Sequence, residues 1–141
     1  MPLTNEYNLY RDYCLDFDWS KIKKSYCHGD LTFENVMISN GEIYFIDFLD
    51  SFTSSKVIDY SKMLQDIILG WSWRDKNSKP YIKLIRMHEH MVKNMKDIEY
   101  EASKRMLVLS MLRILPYSVD TKTIDLINRN LKFIKREFIN E

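Results

Sequence analysis

The chain is 141 residues long, 45% hydrophobic and 29% charged, with a net charge of +1. That is enough for one globular domain with its own core, and the near-neutral balance gives no general pull toward nucleic acid or an acidic membrane surface. The longest apolar runs fall far short of the roughly 20 residues that span a bilayer, and the polar stretch Met1–Asp12 has no signal-peptide core.

The two cysteines, Cys14 and Cys27, form no C-x-x-C pair, and no His/Cys cluster has zinc-ligand spacing. Reduced thiols in a soluble cytoplasmic protein are the simplest reading, with a single disulfide as the alternative. Without repeats, low-complexity tracts or a Pro/Gly-rich linker, residues 1–141 read as a single domain.

A short helix is expected over Glu6–Leu15. Ser25-Tyr26-Cys27 is β-prone and leads into His28-Gly29-Asp30. Val36-Met37-Ile38 and Ile43-Tyr44-Phe45-Ile46 flank Ser39-Asn40-Gly41-Glu42, and Asn-Gly is a strong hairpin signal. Leu49–Lys56 reads as a loop. From Val57 the apolar positions 57, 60, 63, 64, 67 and 68 follow helical spacing, with Gly70 as the stop. Trp71–Lys79 is an aromatic-bearing loop, and Pro80 opens a helix carrying Ile82, Ile85, Met91 and Val92. A third helix runs over Glu99–Leu115, with Met106, Leu109, Leu112 and Ile114 among its apolar positions and Pro116 as its stop. Asp120 or Thr121 caps a last helix with the stripe Ile124, Ile127, Leu131, Ile134 and Phe138. The expected fold class is α+β: mainly helical, with one small β-hairpin near the start.

The chemistry lies in residues 26–50, YCHGDLTFENVMISNGEIYFIDFLD. Asp30 precedes the hairpin, Asn35 borders it and Asp47 leaves its second strand, so a loop–hairpin–loop path can bring the three to one end. Asn and Asp oxygens are the hard ligands that Mg²⁺ prefers. A further carboxylate beside them can orient a hydroxyl and take its proton, and these are the parts that phosphoryl transfer requires.

His28-Gly29-Asp30-x-x-x-x-Asn35, followed by Asp47-Phe48-Leu49, has the spacing of the kinase elements H-R-D-x-x-x-x-N and D-F-G. Gly29 replaces the Arg that can pair with an activation-loop phosphate, Leu49 replaces the Gly, and no A-P-E follows. These departures argue against a phosphorylation-switched protein kinase. The stretch resembles the aminoglycoside phosphotransferase and choline kinase family, the small-molecule branch of the kinase-like fold. The closer likeness is to bacterial members with H-G-D-L-T-x-E-N and Y-F-I-D-F, a type associated with surface-polysaccharide and sugar-phosphate pathways. The likeness covers about residues 26–66.

The resemblance implies the C-terminal, catalytic lobe of an ATP- and Mg²⁺-dependent phosphotransferase. Its acceptor would be the hydroxyl of a small metabolite such as an aminoglycoside, choline, a sugar or a sugar phosphate. By the same likeness Asp30 is the catalytic base, Asn35 and Asp47 bind Mg²⁺ and through it the nucleotide, and His28 braces the catalytic loop. Asp59 ties down that loop's backbone, and Asp50 assists with substrate or a second metal. The family's N-terminal lobe, with its Gly-rich loop and strand Lys, has no counterpart: Gly29, Gly41 and Gly70 are the only glycines, and 27 residues precede His28. The expectation is therefore a fragment of a longer enzyme, inactive or weakly active alone.

The alternative is a non-catalytic kinase-like module that self-associates or works with a partner supplying the missing lobe. A magnesium-dependent phosphohydrolase is a weaker third reading, since Asp16-Phe17-Asp18 lacks a preceding apolar strand. His88 and His90 point to different helix faces and make no metal pair. Trp71 and Trp73 line an acceptor pocket or pack at a helix end. Cys27 reads as a small buried residue, and Glu89, Glu99 and Glu101 as solvent-facing.

Overall fold

A computed structural model describes residues 5–50 and 53–140. The expected loop Leu49–Lys56 therefore includes two positions, 51 and 52, outside the described residues, as are the first four residues of the polar N-terminal stretch. Helix α1 spans Asn5–Leu15 and is followed by a 3₁₀ turn at Trp19–Lys21. A second 3₁₀ turn, Phe33–Asn35, runs into strand β1 (Val36–Ser39), which pairs antiparallel with β2 (Glu42–Phe45). The register Val36↔Phe45 to Ser39↔Glu42 leaves Asn40 and Gly41 at the turn. Both have positive φ (52° and 77°), as the primed hairpin turn of an Asn-Gly pair requires.

Four longer helices follow: α2 (Lys56–Ile67), α3 (Tyr81–Asn94), α4 (Asp97–Ile114) and α5 (Thr121–Ile134), the last continued by a π-helical turn at Lys135–Ile139. The protein is thus α+β, mainly helical with one two-stranded hairpin. Ser55 caps α2 by accepting the Val57 N–H, and Lys56 is its first residue rather than the end of a loop. Gly70, at φ 65°, closes the helix end, its N–H donating to the Asp66 carbonyl. Asp120 caps α5 through the Thr123 N–H.

Helices α2 and α4 form the centre. Leu64 and Ile67 of α2, Leu107, Val108 and Met111 of α4, Tyr10 and Cys14 of α1, and Ile127, Leu131 and Ile134 of α5 share one buried cluster. A smaller cluster joins Val57 and Ile58 to Ala102 and Met106. Of the stripes expected for α2 and α5, Val57, Leu64, Ile67, Ile127, Leu131 and Ile134 are buried, while Tyr60, Met63, Ile68, Ile124 and Phe138 are only partly covered. In α4 the deepest residues are Ala102, Ser103, Leu107, Val108 and Met111, whereas Leu109 is 38% exposed. This helix is covered on more than one side, so no single stripe marks its core face.

Three expectations are corrected. Ser25–Cys27 is not a strand, and the Ser25 N–H makes its backbone bond to Ser54, outside any ladder. Ile82 and Ile85 do not enter the core: they are 70% and 58% exposed, and α3 is anchored through Leu84 and Met91 instead. Glu99 is nearly covered, with a 13% exposed side chain, and pairs with Lys56 at 2.8 Å, joining the start of α2 to the start of α4. Both cysteines are free thiols, Cys14 buried and Cys27 half-buried. Among the described residues no helix is long and apolar enough to cross a membrane.

Candidate functional site

The segment 28–35 has little regular structure, so its backbone N–H groups need partners from elsewhere. Helix α2 supplies them. Asp59 accepts the His28 N–H on one carboxylate oxygen (2.8 Å) and the Gly29 N–H on the other (2.9 Å). Two turns further along, the fully buried Asp66 accepts the Phe33 N–H, and its other oxygen takes the Ser72 N–H (2.8 Å) and hydroxyl (2.7 Å). Between them Lys62 reaches Asp30, its Nζ 3.2 Å from Oδ1. Positions 59, 62 and 66 lie at i, i+3 and i+7, on one face of the helix. The helix thus presents one charged stripe to the loop.

His28 joins this loop to the hairpin exit. Its Nδ1 accepts the Asp30 N–H (3.2 Å), so the neutral ring carries its hydrogen on Nε2, which donates to the Ile46 carbonyl at 2.6 Å. The Phe48 ring lies against the imidazole, with centroids 4.3 Å apart. The Leu49 N–H donates back to the His28 carbonyl (2.9 Å). Gly29 is required here twice over. Its φ is 93°, and a Cβ at this position would lie 1.9 Å from the Leu49 carbonyl oxygen.

Asn35 gives its side-chain Nδ2 to the Asp30 carbonyl (2.8 Å) and to Asp30 Oδ2 (3.2 Å). That fixes the amide with Oδ1 turned away from Asp30 and available as a ligand. The Asn35 carbonyl accepts the Ile46 N–H (3.0 Å), extending the hairpin pairing by one step and setting Asp47 just past it. Asp47 is exposed and has positive φ (55°), uncommon for a residue other than Gly. Asp30, Asn35 and Asp47 therefore belong to one hydrogen-bonded loop pair at the base of the hairpin. Asp50 is exposed and lines a surface recess of about 460 Å³ with Cys27, Lys24 and Ser54.

Among the described residues no group of three or more His, Cys, Asp and Glu side chains could hold a metal ion. The donors at the hairpin base are one amide oxygen and one carboxylate. That fits Mg²⁺, which keeps several waters and binds through one or two carboxylates together with substrate phosphates.

Lys62 and Asp66 were not picked out from the sequence. Their signal is the charged spacing 59, 62 and 66 within one helix. The other sequence candidates have structural roles. The ring of Trp71 is covered by the Arg74 guanidinium at 4.8 Å and packs at the end of α2, and Trp73 meets Phe33 edge-on. His88 bonds to the Tyr100 hydroxyl (3.0 Å). Asp18 caps the turn at Trp19–Lys21.

Comparison of the chain with protein-family models, with curated proteins and with solved structures finds no match.

Proposed function

We propose that this chain is the catalytic lobe of a kinase-like, ATP- and Mg²⁺-dependent phosphotransferase acting on the hydroxyl of a small molecule. The observation that carries the reading is the joining of the Asp30 loop to the Asp47 loop through His28 and Asn35, with Asp59 holding the Asp30 loop to α2. It supports a reading in which Asp30 takes a proton and Asn35 and Asp47 supply oxygen donors suited to magnesium. Asn35 and Asp47 are the residues that would hold the ion. When bound, the ion would neutralise the β- and γ-phosphates of the nucleotide.

Asp30 has the role of accepting the acceptor's O–H. As the new O–P bond forms and the bond from the γ-phosphorus to the ADP oxygen breaks, the hydroxyl proton passes to Asp30. Lys62 and Asn35 hold the Asp30 carboxylate from two directions, so it needs little reorganisation at that moment. His28 and Asp59 act on the loop, not on the substrate.

The test is direct metal binding. Mn²⁺ is expected to bind the chain with one-to-one stoichiometry in the presence of ATP, read by electron paramagnetic resonance. Asp47→Ala should weaken it about a hundredfold by removing the one charged ligand, and Asn35→Ala about tenfold. Asp30→Ala should leave the metal in place. Mn²⁺ affinity unchanged in Asp47→Ala would end the reading.

A second reading, an assembly module, is favoured by the apolar surface around the hairpin. Ile38 and Ile43, cross-strand partners, are 75% and 61% exposed, and Phe48 and Leu49 continue the patch. On this reading light scattering at tens of micromolar gives a mass above 17.1 kDa. The double variant Ile38→Thr, Ile43→Thr, which keeps strand-forming residues, returns it to the monomer. A monomer at every concentration of the unaltered chain would remove this reading.

A further inference from the structure

The first turn of α2, the chain after the Trp19–Lys21 turn and one side of α4 enclose a recess of about 250 Å³, apart from the hairpin base. Its walls are Trp19, Ile22, Val57, Ile58, Met106 and Leu109. Leu109, the partly exposed member of the apolar set of α4, is thus one side of a concave surface. The Trp19 indole N–H is already given to the Cys14 carbonyl (2.9 Å), and the Ser55 hydroxyl to the Lys23 carbonyl (3.3 Å). The lining is therefore mainly hydrocarbon. An apolar cavity of about 150 Å³ holds a benzene ring, so this one has room for a chain of about eight carbons.

Lys23 and Lys24 line the same recess, are exposed and have no ionic partner among the described residues. No carboxylate lines it, so nothing on its walls offsets the two ammonium groups. The N-terminal turn of α2 adds partial positive charge. Around that turn Glu99 is taken by Lys56, Asp59 by the His28 and Gly29 N–H groups, and Asp50 lines the neighbouring recess that shares Lys24. A bare hydrocarbon would use only the walls, and a simple anion only the rim. A molecule with both parts uses all of it.

We propose that this recess binds a medium-chain aliphatic carboxylate, its tail against Trp19, Ile58 and Leu109 and its head group at Lys23 and Lys24. The site is separate from the hairpin base and does not depend on the phosphotransferase reading.

The experiment titrates the full ¹⁵N-labelled chain with octanoate, hexanoate, acetate and octylammonium. Octanoate should give saturable, one-to-one shifts of the Ile22, Lys23, Ile58 and Leu109 amides. Hexanoate should bind about tenfold more weakly, because two fewer methylenes are buried. Acetate, without the tail, and octylammonium, with the opposite charge, should leave those amides in place. The double variant Lys23→Gln, Lys24→Gln changes two exposed side chains and should weaken octanoate about tenfold, the loss expected for one charge-assisted hydrogen bond. Leu109→Asp, at a partly exposed position, sets a carboxylate in the wall and should weaken it at least as much. Absence of saturable shifts, octylammonium binding as tightly as octanoate, or an affinity indifferent to either variant would each overturn the proposal. So would shifts centred on the exposed hairpin residues Ile38, Ile43 and Phe48 in place of the recess.

Discussion

Gly29→Ala is expected to destabilise the protein by about 4 kcal/mol, with Gly41→Ala as its control at about 1 kcal/mol. Both glycines have positive φ, 93° and 77°, and so share the cost of placing a Cβ in a left-handed backbone. They differ in surroundings. A Cβ on Gly41 meets nothing within 4 Å, whereas one on Gly29 lies 1.9 Å from the Leu49 carbonyl oxygen and 2.9 Å from its carbon. Backbone cannot yield as a flexible side chain does. The loop bearing Asp47 must therefore move away from the loop bearing Asp30, breaking the Leu49-to-His28 hydrogen bond. Urea denaturation gives the two stability losses, and Mn²⁺ binding reports on the site. Gly29→Ala should lose both, and Gly41→Ala should keep its metal. Equal stability losses would mean that the close approach of Leu49 contributes nothing.

The second large effect is at Asp59, which touches neither metal nor acceptor in the proposed arrangement. Asp59→Ala removes two charge-assisted hydrogen bonds at once and leaves the His28 and Gly29 N–H groups in a covered loop without acceptors, at a cost of about 3 kcal/mol. Asp59→Asn should be nearly as damaging. Its one side-chain oxygen can serve one N–H, but its amide nitrogen then turns a donor toward the other. Hydrogen exchange measures this directly. The His28 and Gly29 amides should exchange about a hundredfold faster in both variants, while the amides of α4 and α5 change only with global stability. Protection at His28 and Gly29 as strong in Asp59→Ala as in the unaltered chain would show that the loop holds itself.

Asp30, Asn35 and Asp47 were legible in the sequence because their relation is local. A fixed number of residues and an Asn-Gly turn carry the chain out and back, and the period-two strand pattern sets where it returns. The stripes of α2 and α5 were legible for the same reason, since an apolar repeat at helical spacing has one face to bury. Hidden were the relations across distance. Nothing near Lys62 says that it reaches Asp30, and Asp66 finds the Phe33 N–H across 33 positions of chain. Glu99 looked like a surface residue until Lys56 was packed against it. Ile82 and Ile85 have the spacing of core residues and are exposed, because α3 leans on the body through its other face, with Leu84, His88 and Met91.

The sequence by itself therefore determined which oxygen-bearing residues sit at the hairpin base and which helices exist. Only the tertiary structure decided that one charged stripe on α2 secures the loop and sets an ammonium beside Asp30. Propensity and periodicity act over a few residues, whereas a buried N–H or carboxylate takes whichever partner packing brings to it.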